Sequence, residues 1–375
     1  MKRISIYEPE LIGNERKYLL DCIDTNWISS QGSYIKEFEN KLAEYHGANF
    51  GIATSSCTSA LHLAIKALGI GEGDEIICPN LTFIAPANMI LLSGAKLKLV
   101  DIDKETLNIK PELIENQITK NTKAIIVVHQ FGHAAPMDEI MKLTIKFNLK
   151  IIEDNAESIG AKYKGKLLGT FGDICCFSFF GNKIITSGEG GAIITNDSEL
   201  ATKCKELRDH GMDSNKKYSH IRLGYNYRMT NMQAAIGLAQ LEMLDEILEK
   251  RLKQMNLYYK LLKNTKGLQL RKFKEWCDPV HWLMTITLDS EFKREDFLAF
   301  MKNREIDCRQ MINPVHHAKY LIDHYNYNDF PNSVDISKRS VHLPSSSFLS
   351  EEDISYIVDQ TNFFFKEFNS EKNKI

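Results

Sequence analysis

At 375 residues the chain is long enough for one large and one smaller unit, each with a sizeable core. Apolar residues make up 43% and charged residues 26%, as in an ordinary globular protein. The net charge of −2 offers no electrostatic footprint for nucleic acid or an anionic membrane surface. No apolar run reaches membrane-spanning length and Met1-Lys-Arg-Ile-Ser-Ile-Tyr-Glu8 lacks the apolar core of a signal peptide, so a cytoplasmic protein is expected. The eight cysteines are scattered without a C-x-x-C pair, which argues against both a disulfide framework and a zinc site.

From about residue 10 to 245, helix-period segments alternate with short apolar strands. Thr54-Ser-Ser-Cys-Thr-Ser-Ala60 opens a helix over Ala60–Ala67, and strands are expected at Glu75-Ile-Ile-Cys78, Lys96-Leu-Lys-Leu-Val100, Ala124-Ile-Ile-Val-Val128 and Lys150-Ile-Ile152. This alternation predicts an α/β unit with a mainly parallel sheet covered by helices on both faces. One long helical pattern runs from Asn231 to about Leu262. Beyond it Trp282-Leu-Met-Thr-Ile-Thr-Leu288 alternates like an antiparallel strand, and Arg294–Met301 and Glu351–Val358 read as helices. The chain therefore divides near residue 250 into a large part, 1–250, and a smaller α+β part, 251–375, with a tail from Ser370 that should fray.

Chemistry concentrates at two strand ends. Ile151-Ile-Glu-Asp154-Asn-Ala-Glu157 is a strand that ends in acids, and Cys176-Phe-Ser-Phe-Phe-Gly-Asn-Lys183 is a strand that ends in a turn carrying one lysine. Ligands of open α/β sheets bind at such carboxyl edges. Burial at this position favours the neutral amine, the form that attacks a carbonyl to make a Schiff base. Alone, Asp154 reads as a helix cap and Lys183 as a surface lysine. Together they suit pyridoxal phosphate, which needs a lysine for its aldehyde and an acid facing its ring nitrogen. Five hydroxylated residues between Thr54 and Ser59, at a helix N-terminus, suit its phosphate, and Thr58 and Ser59 are assigned to it. His316 and His317 have no accompanying acid cluster, so no metal site is expected.

These blocks, with Trp27-Ile-Ser-Ser-Gln-Gly32, Pro79-Asn-Leu-Thr-Phe-Ile-Ala85, His129-Gln-Phe-Gly132, Gly188-Glu-Gly-Gly191 and Gly224-Tyr-Asn-Tyr-Arg-Met-Thr-Asn231, resemble the DegT/DnrJ/EryC1/StrS sugar aminotransferases in order and spacing. The resemblance runs from about Ile6 past residue 350. Phe179-Phe-Gly-Asn-Lys183 and Tyr225-Asn-Tyr-Arg-Met-Thr-Asn231 look most like the GDP-perosamine synthase branch.

The resemblance implies a fold-type-I pyridoxal phosphate enzyme with Lys183 and Asp154 as catalytic residues. It implies Phe83 over the cofactor ring, Glu157 at its phenolic oxygen and Ser178 as a further phosphate ligand. It also implies a homodimer in which Asn226 reaches the neighbouring subunit's cofactor phosphate. Relatives usually carry glycine where Cys57 stands. The amino donor implied is glutamate and the acceptor a nucleotide-linked 4-keto-6-deoxyhexose, giving a 4-amino-4,6-dideoxy sugar nucleotide for surface polysaccharide such as O-antigen. Another keto sugar or a cyclitol is the alternative acceptor. A related dehydratase subgroup has histidine at the Lys183 position, and a transcriptional regulator would need an added basic DNA-binding domain. Arg309-Gln-Met-Ile-Asn-Pro-Val-His316 keeps Arg309 and His316 as candidate substrate residues, while Met311, Ile312 and Asn313 replace aromatic residues of the resembling branch.

Overall fold

The structure, a computed structural model, describes residues 3–213 and 215–372, with side chains as far as residue 367. Its centre is a seven-stranded sheet built from β1 (Phe50–Thr54), β2 (Glu75–Pro79), β3 (Lys96–Val100), β4 (Thr122–Val128), β5 (Lys150–Asp154), β6 (Ile174–Ser178) and β7 (Gly191–Thr195). The order across the sheet is β1-β7-β6-β5-β4-β2-β3. Only β7 runs against the rest, pairing antiparallel with β1 and β6. Helices cover both faces, so the strands are apolar throughout rather than alternating. Ile125, Ile126, Ile152, Cys176 and Ile193 are fully buried. Each large aliphatic side chain so buried contributes roughly 1.5–3 kcal/mol relative to exposure.

A second, wholly antiparallel sheet comprises β8 (Leu268–Leu270), β9 (Met284–Leu288), β10 (Arg309–Gln310) and β11 (Ser340–Leu343), in the order β8-β9-β11-β10. Helices Arg294–Lys302 and Glu351–Lys372 belong to the same region, and Phe297, Met301, Ile357 and Val358 fill a core beneath the sheet. The tail expected to fray from Ser370 is helical to Lys372, and residues 373–375 lie outside the described residues. The first strand-like residues join this second core. Ile4 bridges Ile306 and the Ser345 N–H donates to the Ile6 carbonyl, which brings Tyr7 towards the large sheet's edge.

The long helix expected over residues 231–262 is two helices, Asn231–Glu242 and Leu244–Leu262. The break falls at Met243 (φ −99°, ψ 3°), without proline or glycine. The first helix is buried nearly all round, through Ala234, Ala235, Gly237 and Ala239, whereas the second is amphipathic and buries one side. The change of axis lets the chain pass from a core position to a surface one. No described helix is long and apolar enough to cross a membrane.

Candidate active site

Strands β5 and β6 end side by side, with Asp154 opposite Cys176 in register, and a cavity of about 450 Å³ opens at this edge. Asp154, Glu157, Ser178, Lys183, Thr58 and Phe83 all line it, so six of the residues singled out in the sequence meet in one space. Phe83 is 61% exposed, an apolar ring presented to the cavity rather than to the core.

The helix after β1 begins earlier than expected, at Cys57, and points its N-terminus into the cavity through Ser56, Cys57 and Thr58. Ser56 is the N-cap, and its hydroxyl accepts from the Ser59 N–H while the Ser59 hydroxyl accepts from the Ser56 N–H at 3.0 Å. Ser59 is thus committed to a capping box and does not line the cavity. The N–H groups of Cys57 and Thr58, in the first turn, have no intrahelical acceptor and are available to an anion. Gly191 on β7 presses against this turn: a Cβ there would lie 2.3 Å from the Ser56 carbonyl carbon. Cys57 accepts its Cβ without strain, since it is absent from the positive-φ residues, and its Sγ lies 4.0 Å from Asp154 Oδ1.

Asp154 is buried and accepts a 3.0 Å hydrogen bond from the Ala156 N–H. Burial, reinforced by the Glu157 charge, outweighs that hydrogen bond and the attraction of Lys183, and raises its carboxyl from 3.8 to about 6. Its neighbour Glu153 points the other way and is also fully buried. Burial alone would raise the Glu153 carboxyl. Hydrogen bonds from His129 and the N–H groups of Gly172 and Gly169 win and lower it. The His129 Nδ1 accepts from the Ala135 N–H, so Nε2 carries the proton and donates to Glu153 at 3.1 Å. This buried lattice fixes the end of β5.

Lys183 Nζ sits 3.3 Å from Glu157 Oε1 and 3.7 Å above the centre of the Trp282 ring. Trp282 also donates through Nε1 to the Asn182 carbonyl, and the Tyr7 hydroxyl donates to the carbonyl of Lys183. Two distant segments therefore brace the lysine turn. The other Glu157 oxygen accepts from the Phe131 N–H at 2.9 Å. Phe131 holds a left-handed conformation (φ 49°, ψ 37°), which costs a non-glycine residue on the order of 1 kcal/mol or more. Gly132, which follows, tolerates no side chain, because a Cβ would fall 1.8 Å from the Val280 carbonyl oxygen. The strained turn delivers the Phe131 N–H to Glu157 and its ring to Trp282, 6.0 Å away and nearly parallel.

The remaining expected residues divide between the cavity and the rest of the chain. His316 is buried away from the cavity, its ring nitrogens 3.0 Å from Asn80 Oδ1 and 2.9 Å from the Tyr327 carbonyl. Arg309 does line the cavity. Of the three residues after Gln310, Met311 is core, Asn313 is exposed and does not line the cavity, and only Ile312 lines it. Asn226 is exposed, held at its Oδ1 by Arg228 at 3.0 Å, and lines no part of its own chain's cavity. Trp282, Tyr7 and His342 were not foreseen at the site. The only sequence signal for any of them was an aromatic residue at the start of a recognised strand.

The chemistry of this donor set fits pyridoxal phosphate: an amine, a buried acid across the cavity, an exposed aromatic ring and a helix N-terminus free to take a phosphate.

A model of the DegT/DnrJ/EryC1/StrS aminotransferase family matches residues 9–362. A GDP-perosamine synthase of Escherichia coli O157:H7 is 42% identical over 367 residues, covering 98% of this chain and 100% of the relative. A putative pyridoxal phosphate-dependent aminotransferase of Bacillus subtilis, EpsN, is 35% identical over 370 residues, covering 96% and 95%. Among solved structures, Helicobacter pylori PseC, an aminotransferase of pseudoaminic acid biosynthesis, superposes with a TM-score of 0.92 at 27% identity over 98% of this chain and 100% of that one.

Proposed function

The chain belongs to the DegT/DnrJ/EryC1/StrS aminotransferase family and is a pyridoxal phosphate-dependent aminotransferase, and on that premise we propose its substrates and the work of its residues. The acceptor is a nucleotide-linked 4-keto-6-deoxyhexose, the donor is glutamate, and the product is a 4-amino-4,6-dideoxy sugar nucleotide for a surface polysaccharide such as O-antigen. The full-length similarity to GDP-perosamine synthases supports this choice over a cyclitol or another keto sugar. The protein works in the cytoplasm, where sugar nucleotides are made, as a homodimer. We read residues 1–250 as the cofactor-binding domain and 251–375 as the smaller domain.

The observation that carries the assignment of roles is the convergence of Lys183, Asp154 and the free helix N-terminus on one cavity. Bound pyridoxal phosphate supplies an aldehyde carbon to carry the amino group and an electron-withdrawing ring to stabilise the charge left when the donor's α-proton departs. The first-turn N–H groups at Cys57 and Thr58, with the Ser178 hydroxyl, would hold the phosphate. Asp154 would hold a proton on the ring nitrogen, and Phe83 would cover the ring face. Lys183 Nζ takes the donor's α-proton once its amine is free. Glu157, 3.3 Å away, and the Trp282 face keep that amine in reach when it is charged. Asn226 serves the neighbouring subunit's phosphate, a reading supported by its exposure and its absence from its own cavity.

The test is borohydride reduction of the purified yellow protein, followed by peptide mapping and assay with GDP-, UDP- and dTDP-linked 4-keto sugars. The label should fall on the peptide containing Lys183, and a sugar nucleotide should be aminated at the expense of glutamate. A label on another lysine defeats the site assignment. Transfer to simple 2-oxo acids but to no sugar nucleotide defeats the substrate.

A further inference from the structure

The helix Leu244–Leu262 buries one side through Leu244, Ile247, Arg251, Met255, Tyr258 and Leu262, so an arginine stands in the middle of an apolar stripe. Arg251 is only 2% exposed. No carboxylate pairs with it among the described residues, and its Nε and Nη2 find no acceptor there. Arginine is almost never fully buried unless paired, and taking its charge out of water is costly. An apolar side chain would suit this core better, so what Arg251 contributes lies in what its guanidinium holds.

It holds three backbone segments. Nη1 donates to the carbonyls of His281 at 3.1 Å, Trp282 at 3.2 Å and Ser345 at 3.1 Å, and the guanidinium carbon lies 5.0 Å from the centre of the Tyr7 ring. The same segments are tied to one another. The Ser345 N–H donates to the Ile6 carbonyl, and the Ser345 hydroxyl accepts from the Met284 N–H. Two of them then reach the lysine turn. The Tyr7 hydroxyl donates to the Lys183 carbonyl, while Trp282 donates to the Asn182 carbonyl and carries Lys183 Nζ 3.7 Å above its ring. Arg251 itself lines no part of the cavity. One guanidinium anchors both braces of the lysine from behind.

We propose that Arg251 is a positioning residue for Lys183, acting through Tyr7 and Trp282 and touching neither substrate nor cofactor. The inference rests on the assignment of Lys183 above and deepens it. The three carbonyls flank strands β9 and β11 and converge on one point, where a neutral donor could not serve them all. A guanidinium can, because it offers five N–H groups in a fixed plane. The amine of Lys183 must come back to the same place each time it is released, since a proton passes only over hydrogen-bond distance. The Trp282 face is that place only while the backbone beneath the ring is fixed. A displacement of about 1 Å at a reacting group costs about a hundred-fold in rate.

One reading needs no turnover. Reductive methylation of the cofactor-free, full-length chain with ¹³C-formaldehyde marks Lys183, and the Trp282 ring current should displace its methyl resonance from those of the surface lysines. Trp282→Leu should abolish the displacement and Lys183→Ala the signal. Arg251→Met should lose most of the displacement. Arg251→Lys, which keeps the charge but offers a point instead of a fork, should keep part of it, and it carries the test if the methionine variant does not fold. The other reading is the single-turnover loss of yellow colour on adding L-glutamate. Arg251→Met should slow it about ten- to a hundred-fold, yet by less than about three-fold in a chain already carrying Tyr7→Phe and Trp282→Leu, because the residues it acts through are gone. The proposal is overturned if the Lys183 resonance stays at its wild-type position in the Arg251 variants, or if Arg251→Met slows the reaction equally in both backgrounds. A borohydride label on another lysine, or a wild type that L-glutamate does not bleach, defeats the earlier assignment instead, and the Lys183 resonance still decides the positioning.

Discussion

Asp154→Asn should make the cofactor-free protein more stable at neutral pH while abolishing most of its activity. The folded protein holds the Asp154 carboxyl at about 6 against an ordinary 3.8, so ionising it costs more in the folded state than in the unfolded one. At 1.36 kcal/mol per pH unit, the ionised group destabilises the apoprotein by about 3 kcal/mol at pH 7.5. The sign follows from proton binding. Between pH 6 and 3.8 the folded state binds more protons than the unfolded state, so stability is regained as pH falls through 6.

At pH 4.5 the remaining cost is about 1 kcal/mol. Asparagine removes the charge and keeps the acceptor for the Ala156 N–H, but places a buried NH₂ where an oxygen stood, which costs about 1 kcal/mol if unpaired. The net expectation is a variant about 2 kcal/mol more stable than wild type at pH 7.5 and near parity at pH 4.5. Urea unfolding midpoints of the two apoproteins, read by circular dichroism at both pH values, measure this difference. Turnover should fall by about a hundred-fold or more, because the amide cannot hold a proton on the cofactor's ring nitrogen. A variant less stable than wild type at pH 7.5, or one whose advantage is the same at both pH values, would refute the electrostatic account.

Two further outcomes are expected. Inactive Lys183→Ala and a weakened Asn226→Ala variant, mixed and re-equilibrated, should regain activity in heterodimers that hold one intact site; heterodimers without activity would place Asn226 in the service of its own subunit. Ser59→Ala should lose about 1 kcal/mol in urea unfolding through its capping box, with cofactor affinity little changed. A loss of cofactor without a loss of stability would mean that the hydroxyl serves the phosphate instead.

The part of the site legible in the sequence is the part built by short-range connections. Asp154, Ser178 and Lys183 sit at or just beyond the ends of neighbouring parallel strands, so apolar strands ending in polar turns were enough to bring them together. Asn231–Leu262 read as one helix because both halves keep a helical period, and a change of axis at Met243 leaves no trace in that period. Trp282 and His342 reach the cavity from the second sheet, where β9 and β11 pair in antiparallel register although more than fifty residues apart, which spacing does not encode. His316 was placed beside Arg309 because the two share a short stretch of sequence. Pro314 and the turn Val315–His317 fold it back against Asn80 instead, and the histidine that stands beside Arg309 comes from another strand.

Cys57 shows how a sequence can mark a position and mislead about its reason. A side chain where relatives carry glycine suggests a backbone problem, since glycine is often kept for a positive φ. Cys57 is the first residue of a regular helix, where any side chain fits, so the turn needs no glycine here. What the Cβ adds is a thiol against the Asp154 carboxylate. Burial first, and then that carboxylate, keep the thiol protonated well above its ordinary range. A neutral, weakly polar group then stands where water could otherwise solvate Asp154, and burial is the largest cause of the raised Asp154 carboxyl. The cysteine therefore acts on the Asp154 carboxyl rather than on the backbone of the helix N-terminus.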